Sequence, residues 1–252
     1  MRPMSGGTAL MLMMKAGVLR PTRLVNLRRL GMDTIDVGRE GGLRVGAMVT
    51  LRRLETDPSV RRGWPVLART LRTLSNVRVR NVATLGGHLA HGDPHMDLPP
   101  LLSALGASVS ITGARGERSV PVEQLYAGYL ETTLARGELI TQLHVPAMGE
   151  RRAAYLKCTT RSADDWPALG MAVVLDAGKA SIFVSAATDR PTRFIAAERI
   201  LGGGTAYDER ALRQAAHELP IESDLHGSAA YKKHLAAVYL RRAIDEARDA
   251  GR

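Results

Sequence analysis

Between Asn81 and Pro100 the chain reads NVATLGGHLAHGDPHMDLPP. His88, His91, Asp93, His95 and Asp97, all able to bind metal or move protons, follow a Gly86-Gly87 pair. Adjacent glycines let a backbone take positive φ and approach a ligand closely, and their N–H groups then face anionic oxygens. Thr84 before the pair and Asp97 after it offer the hydroxyl and the carboxylate that a nucleotide-type ligand needs. Two other readings stand beside this one. Gly-Gly with Asp-Pro is also a turn cluster. The His88–Asp97 spacing also supplies histidine and carboxylate ligands for zinc or a non-haem metal, and so a metal-dependent hydrolase. Against that, Gly92-Asp93-Pro94 breaks any helix that would align the ligands.

Elements on both sides must hold this stretch. The apolar Leu10–Met14 cluster reads as helix core and ends at Lys15, too short to span a bilayer. Leu24 to Leu30 suggests a short buried strand, and Thr34–Val37 with Leu43–Val49 a hairpin across Gly41-Gly42. Thr50 is an N-cap for a short helix stopped by Asp57-Pro58, and Val66 to Leu74 carries a helical apolar stripe. Leu98 to Leu105 is a further helix, which Asp97 could cap. Val109–Ile111 and Ser119–Val122 flank a turn, and Glu138–Val145 reads as a strand closed by Pro146.

The best boundary falls at Gly149-Glu150-Arg151, dividing the chain into residues 1–148 and 149–252. Beyond it, Ala153–Lys157, Leu169–Leu175 and Ala180–Ala187 form three strand-like, antiparallel runs. Helical patterns follow at Arg193–Leu201, Asp208–Leu219 and Ser228–Ala247, with Gly202-Gly203-Gly204 as a C-cap and loop. The expected class is α+β.

Composition narrows the function. A chain of 252 residues, 45% hydrophobic, is long enough for one large domain or two small ones. Its one cysteine, Cys158, can neither close an intrachain disulfide nor hold an iron–sulfur cluster by itself. The formal charge of +10 is spread in arginine pairs along the chain, and aromatics are only 4%, which leaves a base-stacking nucleic-acid surface poorly supported. No secretory or transmembrane segment is visible, so a cytoplasmic location is expected, with peripheral contact at the inner face of the membrane left open.

TLGGHLAHGDPHMDLPP resembles the TIGGN…DP..DLPP signature of the FAD-binding medium subunits of molybdenum hydroxylases. That family includes xanthine dehydrogenase and the medium chain of aerobic carbon monoxide dehydrogenase. SGGTALMLMMK at the start resembles the family's AGGTDLL…MK loop. YLKCTTRSADDWPALGMAVVLD and SDLHGSAAYKKHLAAVYLRRAIDEA resemble two further segments, in the right order over nearly the whole chain. The resemblance implies an FAD-binding domain of molybdopterin-dehydrogenase type, N-terminally shortened, because the chain opens inside the first loop. A smaller domain with a three-stranded antiparallel sheet and a helical bundle would follow.

It further implies that Ser5, Gly6, Gly7, Thr8, Ala9 and Leu10 close on the FAD pyrophosphate from one side. Thr84, Leu85, Gly86, Gly87 and His88 would close from the other. Asp97 would bond the adenosine end, Ile140 would touch the flavin region, and Lys157 would stand beside the isoalloxazine, with the Cys158–Asp165 loop over the ring. No residue of this set is a catalytic acid, base or nucleophile, as suits a cofactor that carries the chemistry. The implied partners are an iron–sulfur small subunit with [2Fe-2S] clusters and a molybdopterin large subunit, in a dimer of heterotrimers. Electrons would pass to quinone, oxygen, NAD or a carrier protein. A degenerate subunit of such a complex that has lost FAD is the alternative.

Overall fold

The computed structural model describes residues 1–202 and 208–250, so Gly203 and Gly204 of the glycine triplet lie outside the described residues. The first half comprises β1 (Arg2–Met4), α1 (Thr8–Lys15), β2 (Leu24–Asn26), β3 (Ile35–Val37), β4 (Leu43–Gly46), α2 (Leu51–Thr56), α3 (Pro58–Gly63), α4 (Pro65–Thr73), α5 (Val77–Arg80), α6 (Leu85–His91) and α7 (Leu98–Ala104). Then come β5 (Ser108–Gly113), β6 (Gly116–Pro121), the short pair β7 (Tyr126–Gly128) and β8 (Glu131–Thr132), and β9 (Leu139–Val145). The last part is β10 (Arg152–Thr159), β11 (Pro167–Asp176), β12 (Lys179–Ser185), β13 (Thr192–Arg193), α8 (Ile195–Leu201), α9 (Glu209–His217) and α10 (Ala229–Asp249).

An antiparallel sheet in the order β3-β4-β9-β5-β6 backs the short helices α2–α7, and a second antiparallel sheet runs β10-β11-β12-β13. Strand periodicity decides how the second sheet is used. On β10, Ala153 and Tyr155 face the core shared with the first sheet and α4–α7. Ala154, Leu156 and Cys158 face the other way, into the core under α8–α10. β11 (PALGMAVVLD) is almost continuously apolar because it is covered on both faces. The short helices owe their ends to side chains. Thr50 accepts from Arg53 N at the start of α2, and the Asp57 that stops α2 caps α3 through Ser59 N and Val60 N.

Three expectations need correction. The second sheet has four strands, because Thr192-Arg193 pairs with Val184-Phe183 and delays α8 to Ile195. Leu24–Asn26 is a strand but an exposed one, paired in parallel with β1 in a ribbon of its own. α1 forms over the Leu10–Met14 cluster, yet buries none of its residues. An apolar run marks a helix; whether anything packs on it depends on what the fold brings there. Among the described residues no helix is long and apolar enough to cross a membrane.

Candidate functional site

The stretch Ser5–Leu10 turns from β1 into α1, with Gly7 as N-cap in the left-handed region at φ +79°. No side chain caps this helix, and the first backbone N–H to find an acceptor is that of Met11, on Gly7 O at 2.9 Å. Among the described residues, the N–H groups of Ser5, Gly6, Gly7, Thr8, Ala9 and Leu10 have no hydrogen-bond acceptor. Six consecutive free donors at a helix start are a ready anion site, because the partial positive charge of the helix end adds to theirs. Gly6 is required for packing: a Cβ there would collide with Val82 O and Ala83 Cα.

The second stretch forms the opposing wall. Thr84 caps α6, its hydroxyl accepting from Gly87 N at 3.3 Å. Leu85 N donates to Val49 O at 2.9 Å, Gly86 N to Ala47 O at 2.8 Å and His88 N to Thr84 O at 2.9 Å. Gly86 and Gly87 therefore do not act through positive φ. Both are helical, and neither is among the positive-φ glycines. They permit close approach: a Cβ on Gly86 would lie 2.6 Å from Ala47 Cβ, and one on Gly87 would strike Ser5 Oγ. The two loops thus meet face to face, the first offering free donors and the second holding its own donors inside the protein. Ile140, on β9, is buried in the sheet against which α6 packs.

α6 ends at Gly92, at φ +72°, as the Gly-Asp-Pro reading expects. Asp93 is buried and gathers the histidines. His95 gives it both N and Nδ1 at 2.9 Å, and His91 Nε2 stands 4.0 Å away. These hydrogen bonds hold the Asp93 carboxyl below its usual range against the opposing effect of burial, which is the largest influence on it. His95 stacks on Trp166, centroids 5.0 Å apart, which ties the loop after β10 to this segment. Among the described residues no group of three His, Cys, Asp or Glu could hold a metal ion. His88 is buried, and burial lowers its pKa to about 3, so it is neutral; its Nε2 has no partner. The charged groups that act on its ring are His91 and Asp93, so it lies toward the Asp93 cluster.

Asp97 does not cap α7: its side chain makes no cap hydrogen bond. It accepts from Lys157 Nζ at 2.8 Å and from Tyr155 OH at 2.7 Å, while Lys157 Nζ also donates to Thr73 O at 2.9 Å. All three side chains are withdrawn from solvent, so Lys157 is not a surface lysine at a strand end. Burial pushes the Asp97 carboxyl up, against the pull of Lys157 and Tyr155. Asp97 and Lys157, expected from the resemblance at the adenosine end and beside the isoalloxazine, are thus in direct contact.

The sequence reading missed a second buried pair. Arg80 gives Nε to Glu55 Oε2 at 2.9 Å and Nη1 to Leu74 O at 3.1 Å and to Ser75 O. This clamps the segment whose Val82 meets Gly6. The only sequence signal is Glu55, an acid just ahead of a long acid-free, arginine-rich run.

Residues 1–148 match the family model described as the FAD binding domain in molybdopterin dehydrogenase, and residues 154–247 match the CO dehydrogenase flavoprotein C-terminal domain. The chain belongs to this family. It is 33% identical to the carbon monoxide dehydrogenase medium chain of Afipia carboxidovorans, over 98% of this chain and 88% of that one. It is 32% identical to the nicotine 6-hydroxylase medium subunit of Paenarthrobacter nicotinovorans, over 96% and 88%. Among solved structures, a Cu,Mo-CO dehydrogenase superimposes with TM-score 0.90 at 32% identity, covering 99% of this chain and 90% of the other. The quinoline 2-oxidoreductase of Pseudomonas putida 86 does so with TM-score 0.90 at 30% identity and the same coverage. The chain is thus an FAD-binding medium chain of the molybdenum hydroxylases, which are FAD-dependent oxidoreductases.

Proposed function

We propose that this chain is the electron-transfer subunit of a carbon monoxide dehydrogenase-type complex. It would receive electrons from [2Fe-2S] clusters of a small subunit, themselves supplied by a molybdopterin large subunit, and deliver them through FAD to an external acceptor. A dimer of heterotrimers is the assembly the family reading favours. The carrying observation is the row of six free N–H donors from Ser5 to Leu10, walled by Val82 to His88. Phosphate oxygens are the acceptors such a row suits. Residues 1–148 would hold the cofactor and 149–252 would close over it.

Bound FAD supplies the one- and two-electron chemistry. The chain's residues do the rest. Ser5–Leu10 bind the pyrophosphate, His88 adds a neutral imidazole at the same wall, and Ile140 gives an apolar contact to the flavin region. Asp97 and Tyr155 hold the Lys157 ammonium in place at the ring end, where a fixed cation stabilises anionic reduced flavin. A visible spectrum of the chain, alone and copurified with its neighbours, tests this. Flavin bands in either sample support it. Their absence from both would transfer the protein to the degenerate-subunit reading.

A further inference from the structure

Helices α3, α4 and α5 come from an acid-free part of the chain. From Pro58 to Gly92 there is no Asp or Glu, and arginine stands at 61, 62, 69, 72, 78 and 80. Arg80 turns inward to Glu55. Arg61, Arg62, Arg69, Arg72 and Arg78 are exposed, and among the described residues none has a carboxylate within ion-pair distance. Arg61, Arg69 and Arg72 line one cleft of about 260 Å³. Glu55 also reaches this cleft, but its carboxylate is taken by Arg52 and Arg80. Arg69 lines a second cleft too, of about 280 Å³, with Thr73, Tyr155 and Lys157 in its wall and Glu246 as its acidic member. The arginine face therefore borders the place where Lys157 is fixed.

We propose that this face docks an acidic one-electron carrier protein, which takes electrons from the reduced flavin. The inference rests on the FAD reading above and names its acceptor. Charge and composition select the occupant. A permanent subunit interface is rich in apolar surface, whereas electron-transfer encounters are small and steered by charge. Here the exposed large apolar side chains of the acid-free run are only Val77 and Val82. A second copy of the chain would bring arginine against arginine. Nucleic acid would find no base-stacking ring, since the run holds no Tyr or Phe and its one tryptophan, Trp64, is buried. Each carrier accepts one electron, so two carriers re-oxidise one anionic, fully reduced flavin, and its one N–H proton leaves to solvent.

The test uses the FAD-loaded protein, reduced with dithionite and freed of excess reductant, mixed with ferric cytochrome b5 as an acidic haem carrier and with basic cytochrome c. Reduction of the acidic carrier should be faster at low ionic strength and slow as salt is added. Arg69→Glu/Arg72→Glu should lower it about tenfold or more, the scale of electrostatic steering, while Arg69→Lys/Arg72→Lys keeps it. Calorimetric binding of the ferric acidic carrier reads the same face without using flavin chemistry. Unchanged binding and unchanged salt dependence in the double Glu variant, with FAD still bound, would overturn the docking proposal. Absence of flavin absorbance from the unmodified protein and its complex would instead overturn the FAD reading, and calorimetry would still decide the face.

Discussion

Replacing Lys157 by Met removes the ammonium that meets Asp97 at 2.8 Å and Thr73 O at 2.9 Å, and keeps most of the side-chain volume. Asp97 is then left buried, only 4% exposed, with Tyr155 OH as its single partner. Breaking a buried ion pair from one side costs about 3–5 kcal/mol, because the remaining charge is uncompensated. Asp97 can escape by taking a proton, since burial already pushes its pKa up. A carboxyl whose folded pKa lies above the unfolded value, about 3.9, contributes stability fully present below that value and lost as pH rises through the folded pKa. Each unit by which the variant raises this pKa further adds about 1.4 kcal/mol to the loss. The variant should therefore approach the parent near pH 4 and fall furthest behind it in the alkaline range. Urea unfolding at pH 5 and pH 8, at saturating FAD, measures this, and about 3 kcal/mol at pH 8 corresponds to a melting shift of roughly 6–12 °C for a chain of this size. Lys157→Met/Asp97→Asn should recover much of the loss, because no buried charge remains. A deficit under about 1 kcal/mol at both pH values would refute the claim that a buried, mutually dependent pair sits here.

Gly6→Ala places a methyl group against Val82 O and Ala83 Cα, so FAD should bind at least about tenfold more weakly, a loss of about 1.4 kcal/mol. Flavin fluorescence titration reads it, and unchanged affinity would separate the donor loop from the site. Arg80→Met strands Glu55, leaving it only Arg52, and should cost about 3–5 kcal/mol in urea unfolding; Arg80→Met/Glu55→Gln should be milder. His88, with a folded pKa near 3, contributes stability that is present above its unfolded value of about 6.5 and lost as pH falls toward 3. His88→Gln should flatten that acid limb, and a limb that keeps its slope would show that His88 titrates freely.

Much of the helical and strand framework could be read from local pattern. Thr50 caps the helix expected after it, and β9, β10, β11 and β12 fall on runs whose alternation or continuous apolarity marks them, whereas Asp57, read as a stop, and Thr84, read as a ligand hydroxyl, also cap α3 and α6. Gly-Gly-Thr and Thr-Leu-Gly-Gly marked both candidate loops, and Gly6, Gly86 and Gly87 do stand where a Cβ would collide. What the pattern misjudged was environment. α1 and β2 form where apolar residues predict them but stay exposed, because burial depends on a neighbour and a sequence window holds none.

By itself, then, the sequence determined the family, the α+β framework, the cofactor and the two glycine stretches that the fold brings against each other. Each of those is carried by residues close together in the chain. Tertiary structure alone decided how the stretches divide the work, with free donors on Ser5–Leu10 and occupied ones on Leu85–His88. It also decided that Asp97 belongs to Lys157, sixty positions away, and Glu55 to Arg80, and that exposed Arg69 lines the same cleft as that lysine. One physical reason covers both pairings. A hydrogen bond or ion pair between distant residues depends on which donor the folded backbone delivers to which acceptor, and desolvation then sets its strength.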